Sequence, residues 1–248
     1  MKEFKYSVIL TLSLLFNGCT PKELTVEEII NRSIEAYGGQ KVTNSLIEFD
    51  FRDKHYISKY HNYRFALKRV FTDSTGNIID ELNNDGFIRL RNETPVILDE
   101  EWSGKYSRSV NSVIYFFRIP FVLKDEAVNP ELIGEIDFKN SSYYKVRVSF
   151  SEEGGGEDFD DNFVYWIDKQ NFNIDYFAYS YSTDGGGRRF REAINPRNID
   201  GLRVVDYINY KPQDLDVPIE DYDTYFNSDG LIELSRIENK NVTIEYLK

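Results

Sequence analysis

Catalytic and metal-binding side chains are scarce in this sequence. Cys19 is the only cysteine, and His55 and His61 are the only histidines. Neither a Cys/His zinc site nor a Cys/His nucleophile pair can therefore be assembled within the chain. The two histidines fall at best on one face of one strand, and without further ligands they make no transition-metal centre. The segment Glu152-Glu153-Gly154-Gly155-Gly156-Glu157-Asp158-Phe159-Asp160-Asp161 gathers hard oxygen ligands on a flexible backbone, which suits calcium. Its spacing is not that of an EF-hand, and it reads as an acidic hairpin tip that keeps a strand end soluble. No metal and no cofactor is assigned. The sequence has no Gly-x-Ser-x-Gly elbow and no His-Glu-x-x-His motif. Carboxylates are so numerous that any pair of them could be nominated for glycoside hydrolysis, which discriminates nothing. No catalytic residue is assigned, and the sequence does not decide against an enzyme.

Binding chemistry is easier to locate. Gly185-Gly186-Gly187 precedes Arg188-Arg189-Phe190-Arg191, but a strand pattern follows where a phosphate loop would open a helix. On that strand Arg189 and Arg191 share one face, with Arg188, Phe190 and Glu192 on the other. Either face can hold an anionic headgroup through charge-assisted hydrogen bonds, or pair across strands with the many acidic residues. Aromatic residues crowd Ile114-Tyr115-Phe116-Phe117. Phe117 lies on the helical stripe of Val110 and Val113 and is assigned to the core. Tyr115 and Phe116 lie off it and are assigned to the rim of an apolar groove. With Trp102, Arg189 and Arg191 they form the candidate ligand-binding set.

The elements that must carry these residues are written in two periods. Thr25-Val26-Glu27-Glu28 is a capping box. Val26, Ile29, Ile30, Ser33, Ile34 and Tyr37 then recur at three and four residues until Gly38-Gly39, which predicts a helix over 26–37. From Ser45 the period becomes two: Ile47-Phe49-Phe51, Phe65-Leu67-Arg69-Phe71, Tyr144-Val146-Val148-Phe150 and Phe163-Tyr165-Ile167 each predict a strand with one buried face. Leu202–Tyr210 predicts another, and Leu231–Tyr246 one or two more. Turn sequences at 73–77, 83–86, 168–171 and 198–201 make the neighbours antiparallel hairpins. Helical spacing returns over 103–118 until Pro120 stops it, and a weaker helix is expected over 219–226.

Composition bounds the partners. Lys and Arg number 30 against 42 Asp and Glu, a formal charge of −12, which repels polyanions and excludes nucleic acid as a partner. Lys2 and Lys5 precede an apolar run from Tyr6 to Phe16, the layout of an export signal. That run is short of the about 20 apolar residues a spanning helix needs. Leu15-Phe16-Asn17-Gly18-Cys19 resembles the lipobox of bacterial lipoproteins, and this resemblance implies lipidation of Cys19. The expected organisation is a signal peptide over 1–18, a lipidated tether over 19–24 and a single antiparallel β domain over 25–248. Without a disulfide, that domain is held by its core alone. Thr20 is not the Asp that retains enterobacterial lipoproteins in the inner membrane. By that analogy the anchor sits in the outer membrane, on its periplasmic or surface side.

An amphipathic helix, a long antiparallel meander and a second helix inserted midway look like the LolA/LolB family of lipoprotein carriers, most locally in Val164-Tyr165-Trp166-Ile167-Asp168-Lys169-Gln170-Asn171-Phe172. Ala36-Tyr37-Gly38-Gly39, Ser112-Val113-Ile114-Tyr115-Phe116, Arg189-Phe190-Arg191-Glu192-Ala193 and Asp206-Tyr207-Ile208-Asn209-Tyr210 together resemble uncharacterised Bacteroidota-type lipoproteins related to that fold. The resemblance implies a mainly β (α+β) chain, a curved antiparallel sheet or half-barrel covered by two to three helices. Either a second sheet completes a solid core or the concave face stays open as a ligand site. The expected function is an anchored envelope protein binding an acyl chain, lipid or lipoprotein. A hydrolase with carboxylate chemistry and a structural or interaction module are the alternatives.

Overall fold

Thr25 opens the first helix as the sequence predicts. Its hydroxyl accepts from the Glu28 amide at 3.2 Å, and Glu28 accepts from the Thr25 amide at 2.8 Å. This is a computed structural model, which describes residues 23–153 and 159–248. The export signal, Cys19 and most of the tether lie outside the described residues, as does the Gly154–Asp158 part of the acidic loop. Helix α1 (Val26–Ala36) buries Ile29, Ile30, Ser33 and Ile34 and leaves the opposite face to water. Gly38, at φ +127°, turns the chain away, and a Cβ there would lie 2.7 Å from the Gly201 carbonyl oxygen, so the position requires glycine. Beside it the Arg203 amide donates to the Tyr37 carbonyl and the Tyr37 hydroxyl donates to the Ile174 carbonyl, docking the end of α1 on two distant strands.

Two seven-stranded antiparallel sheets follow. The first is the meander β1 (Ser45–Phe51), β2 (Lys54–His61), β3 (Arg64–Asp73), β4 (Gly76–Asn83), β5 (Gly86–Arg91) and the short β6 (Thr94–Pro95), completed by β14 (Asn239–Tyr246), which pairs with β1. After helix α2 (Glu100–Phe117) the second is the meander β7 (Val128–Phe138), β8 (Ser141–Phe150), β9 (Asn162–Asp168), β10 (Ile174–Tyr181), β11 (Gly187–Ile199), β12 (Leu202–Pro212) and β13 (Leu231–Ile237), with the short helix α3 (Tyr222–Asn227) before its last strand. The fold is mainly β and the sheets do not close into a barrel. Each expected strand and hairpin turn is present, and Leu231–Tyr246 is two strands, one in each sheet.

The sheets meet where β13 passes into β14. Asp206 accepts there from the buried Asn239 amide at 2.9 Å and from the half-buried Arg197 at 3.2 Å, stitching the corner. At the far side no ladder joins β6 to β7, and α2 bridges that side instead. Inner faces of both sheets and the two long helices share one core, including Ile34, Phe49, Val110, Ile114, Val148 and Tyr165. The second sheet departs from the expectation of one buried face. Val164, Trp166 and Phe190 on its outer side are also buried, because Ile219, Tyr222 and Leu231 from the segment around α3 cover them. Asp223 anchors that cover, accepting from the Trp166 indole at 2.9 Å and pairing with Lys145 at 2.8 Å.

Candidate functional site

Asp99 caps α2 by accepting from the Trp102 amide at 2.8 Å, which starts the helix at Glu100 rather than at Ser103. One flank of α2 is fixed to the first sheet. Arg69 donates to the Ser109 hydroxyl at 2.5 Å, the Arg89 guanidinium lies 3.4 Å from the Tyr106 ring centroid, and Phe117 stacks on Phe49 at 4.1 Å. Phe117 thus packs partly buried against the core, on the side that the stripe predicts. Beneath this flank Asp80 is fully buried and receives both Arg69 and Arg89, each at 2.6 Å. All three are polar residues at the inward phase of paired strands, Arg69 opposite Asp80 and Asp80 opposite Arg89.

The other flank of α2 faces the second sheet, and the two separate around a cavity of about 480 Å³. That volume is in the range of small-molecule sites, about 300–1,000 Å³. The helix contributes Lys105, Arg108, Ser109, Ser112, Val113 and Phe116 to its wall. The sheet contributes Phe150, Phe163, Tyr179, Tyr181 and Arg191. Asp161 and Thr183 come from the β8–β9 and β10–β11 loops at the same end. Among the described residues the core around Ile34, Phe49 and Ile114 is built of buried side chains instead.

Phe116 is the centre of the aromatic wall, with ring centroids 5.0 Å from Tyr179, 5.8 Å from Phe177 and 6.2 Å from Phe163. The Arg191 guanidinium stacks on Phe116 at 3.8 Å and donates to the Tyr179 hydroxyl at 3.0 Å. Tyr115 also lines the cavity, and its hydroxyl lies close to that of Tyr165 without a hydrogen bond of standard geometry. Burial pushes both phenols well above their ordinary range, so they stay protonated at neutral pH.

Of the five candidate residues, the structure therefore brings Tyr115, Phe116 and Arg191 together. Arg189 is one step outside: it donates to the Tyr181 hydroxyl at 3.0 Å and to the Arg188 carbonyl, beside the wall rather than in it. Trp102 is 48% exposed on the first turn of α2 and packs on Tyr106 and on Lys105 of the lining without lining the cavity itself. Among the described residues neither Arg189 nor Arg191 makes the cross-strand carboxylate pair that was the alternative for this segment. Sequence reasoning placed Phe150 and Phe163 on a buried face without assigning them to a wall. It missed Lys105 and Arg108, whose signal was two cations at three-residue spacing on the flank of α2 that also carries Ser112. His55 bonds Asp50 at 2.7 Å and His61 meets the Lys248 carbonyl, both far from the cavity lining. Among the described residues no group of three His, Cys, Asp or Glu side chains is placed to hold a metal ion, and no helix is long and apolar enough to cross a membrane.

Among solved structures the chain is similar to a LolA superfamily protein from Nitrosomonas europaea, at 11% identity and a TM-score of 0.50, over 91% of this chain and 96% of that one. It also matches a DUF1329 family protein from Desulfovibrio piger, at 10% identity and 0.45, covering 88% and 92%. A further match is the lipoprotein LppX of Mycobacterium tuberculosis, at 12% and 0.28, covering 64% and 87%. The first of these establishes a LolA-like fold. No curated protein matches the sequence. The family model of a family of unknown function, DUF6503, matches residues 5–239, and the chain belongs to that family.

Proposed function

We propose that this protein is an envelope lipoprotein, anchored to a membrane through lipid on Cys19, whose single domain over 25–248 binds a hydrophobic ligand between α2 and the second sheet. The observation that carries the reading is the cavity of about 480 Å³ walled by Val113, Phe116, Phe150, Phe163 and Tyr179. Micromolar affinity corresponds to about 8 kcal/mol. At about 25 cal/mol per Å² this is roughly 330 Å² of apolar surface withdrawn from water, before the costs of association. An acyl chain of a lipid or lipoprotein supplies apolar surface of that kind, in a shape that suits a cleft between a helix and a sheet.

Native mass spectrometry of the intact protein is expected to show a co-purifying lipid. Ser112→Trp, which places an indole in the cavity from an exposed position on α2, should remove that lipid and lower uptake of a fluorescent fatty acid at least tenfold, with the melting temperature unchanged. A wild-type protein that carries no lipid and takes up no fatty acid would overturn the reading.

The anchor is tested separately. A lone cysteine directly after an export signal is expected to label with an alkynyl fatty acid in growing cells, and Cys19→Ser should abolish the label and release the protein from the membrane fraction, outer membrane by the analogy at Thr20. Equal labelling of both proteins would eliminate the anchor and leave the cavity untouched.

A further inference from the structure

Arg191 carries the most deeply buried positive charge of the cavity lining. It is 7% exposed and lies in the cavity wall. One N–H bond goes to the Tyr179 hydroxyl, while Nε is shielded from water and hydrogen-bonds nothing. Among the described residues the three other arginines under a tenth exposed are accounted for. Arg69 and Arg89 share Asp80. Arg118, also buried, donates to the Val42 carbonyl and the Ser58 hydroxyl over the Tyr60 ring, and opens into no such cavity. Arg191 has no carboxylate partner among the described residues. Stacking on Phe116, Phe177 and Tyr179 offsets part of its desolvation, but an aliphatic side chain would pack the same rings with no buried charge to compensate. A fixed, planar guanidinium in a cavity wall, with no counter-charge and only one N–H bond made, is the arrangement that receives a carboxylate or phosphate oxygen. The described lining agrees in sign: Arg108 and Arg191 stand against Asp161, while Lys105 pairs with Glu101 at 2.7 Å, in a chain of formal charge −12.

Building on the proposed hydrophobic ligand, we propose that this ligand is a single-chain amphiphile with an anionic head, a carboxylate or a phosphate monoester, and that Arg191 receives that head on the edge of its guanidinium that faces the cavity, against the Phe116 ring. The apolar chain then lies along Phe116, Phe150 and Phe163, and Arg191 sets both the charge preference and the direction in which the ligand enters.

Three probes of equal chain length separate the possibilities: palmitate, hexadecanol and palmitoyl-lysophosphatidate, each titrated into the intact protein at about pH 8, where carboxylates are ionised. At least one anion is expected to bind tenfold or more tightly than hexadecanol, and the tighter of the two names the head. Arg191→Gln should bring the anions down to the affinity of hexadecanol while leaving hexadecanol unchanged, and Arg191→Lys should restore part of the difference. Equal wild-type affinity for all three overturns the anionic head and leaves the cavity reading standing. Binding of none of them overturns both. The wild-type comparison decides even where Arg191→Gln fails to fold.

Discussion

Asp80→Ala is expected to lower the free energy of unfolding by about 3–5 kcal/mol, the usual effect of removing one partner from a buried ion pair. Its carboxylate is fully buried on β4 and accepts four N–H bonds, at 3.0 and 2.6 Å from Arg69 and at 2.6 and 2.9 Å from Arg89. Removing it leaves two guanidinium groups, each under a tenth exposed, with no counter-charge. The attraction within the triad does not decide the magnitude. The uncompensated desolvation of two cations does. Urea denaturation followed by circular dichroism measures the loss, and a change below about 1 kcal/mol, the range of exposed pairs, would show that the arginines escape to water. Replacing Arg69, Asp80 and Arg89 together by Met, Leu and Met is expected to be neutral or stabilising, since no charge then remains inside. Because Arg69 and Arg89 also hold Ser109 and Tyr106, Asp80→Ala should weaken fatty-acid binding as α2 loosens.

Val148→Asp should be more damaging still. Val148 is completely buried on the inner face of β8, opposite Phe163. A carboxylate there must be protonated or desolvated, and a fully buried acid shifts its pKa by up to about 3–5 units. At about 1.36 kcal/mol per unit, holding the acid protonated at pH 7 against an unfolded value of about 3.9 costs about 4 kcal/mol, and the unbonded neutral group adds about 1–3 kcal/mol, together comparable with the whole stability of about 5–15 kcal/mol of an ordinary domain. The folded-state pKa is raised, so folding takes up a proton: the missing stability returns as pH falls toward the unfolded value and is lost as pH rises through the folded one. Melting temperatures compared at pH of about 4.5 and 7 should therefore converge on that of Val148→Asn at the lower pH. A variant as stable as wild type at neutral pH would mean that Val148 is not interior.

Much of this architecture is local, and local features are legible in the sequence. The Thr25 box, the Gly38-Gly39 stop, the period-two runs and the four turns each specify their element within a few residues, and each element is present. Strand β7 was not legible, because it is an edge strand whose exposed residues, Pro130 and Gly134 break the alternation. Burial of Trp166 and Val164 was illegible for a different reason: their cover comes from around Tyr222, far along the chain. The Asp80 triad did leave a trace, since Arg69 stands in phase with Phe65, Leu67 and Phe71. Reading it required knowing that Asp80 is its cross-strand neighbour. The candidate site divides in the same way. Helical phase separated Phe117 from Tyr115 and Phe116, and strand phase put Arg191 on the face opposite Phe190. No period shows where α2 and the second sheet part, and so Trp102 and Arg189 were grouped with residues that they do not join.

The pairing of β1 with β14 also governs the order of assembly. Strands β2–β6 and β7–β13 are sequential meanders whose hairpins can form as soon as each strand exists, with little loop entropy to overcome. Ile47 finds Ile244 only after nearly the whole chain has been made, and the Asn239 corner on Asp206 forms with it. Until then β1 presents an unpaired edge and the two halves share no hydrogen-bonded seam. Closure of that seam is the most non-local event in the fold, and it is expected to come last.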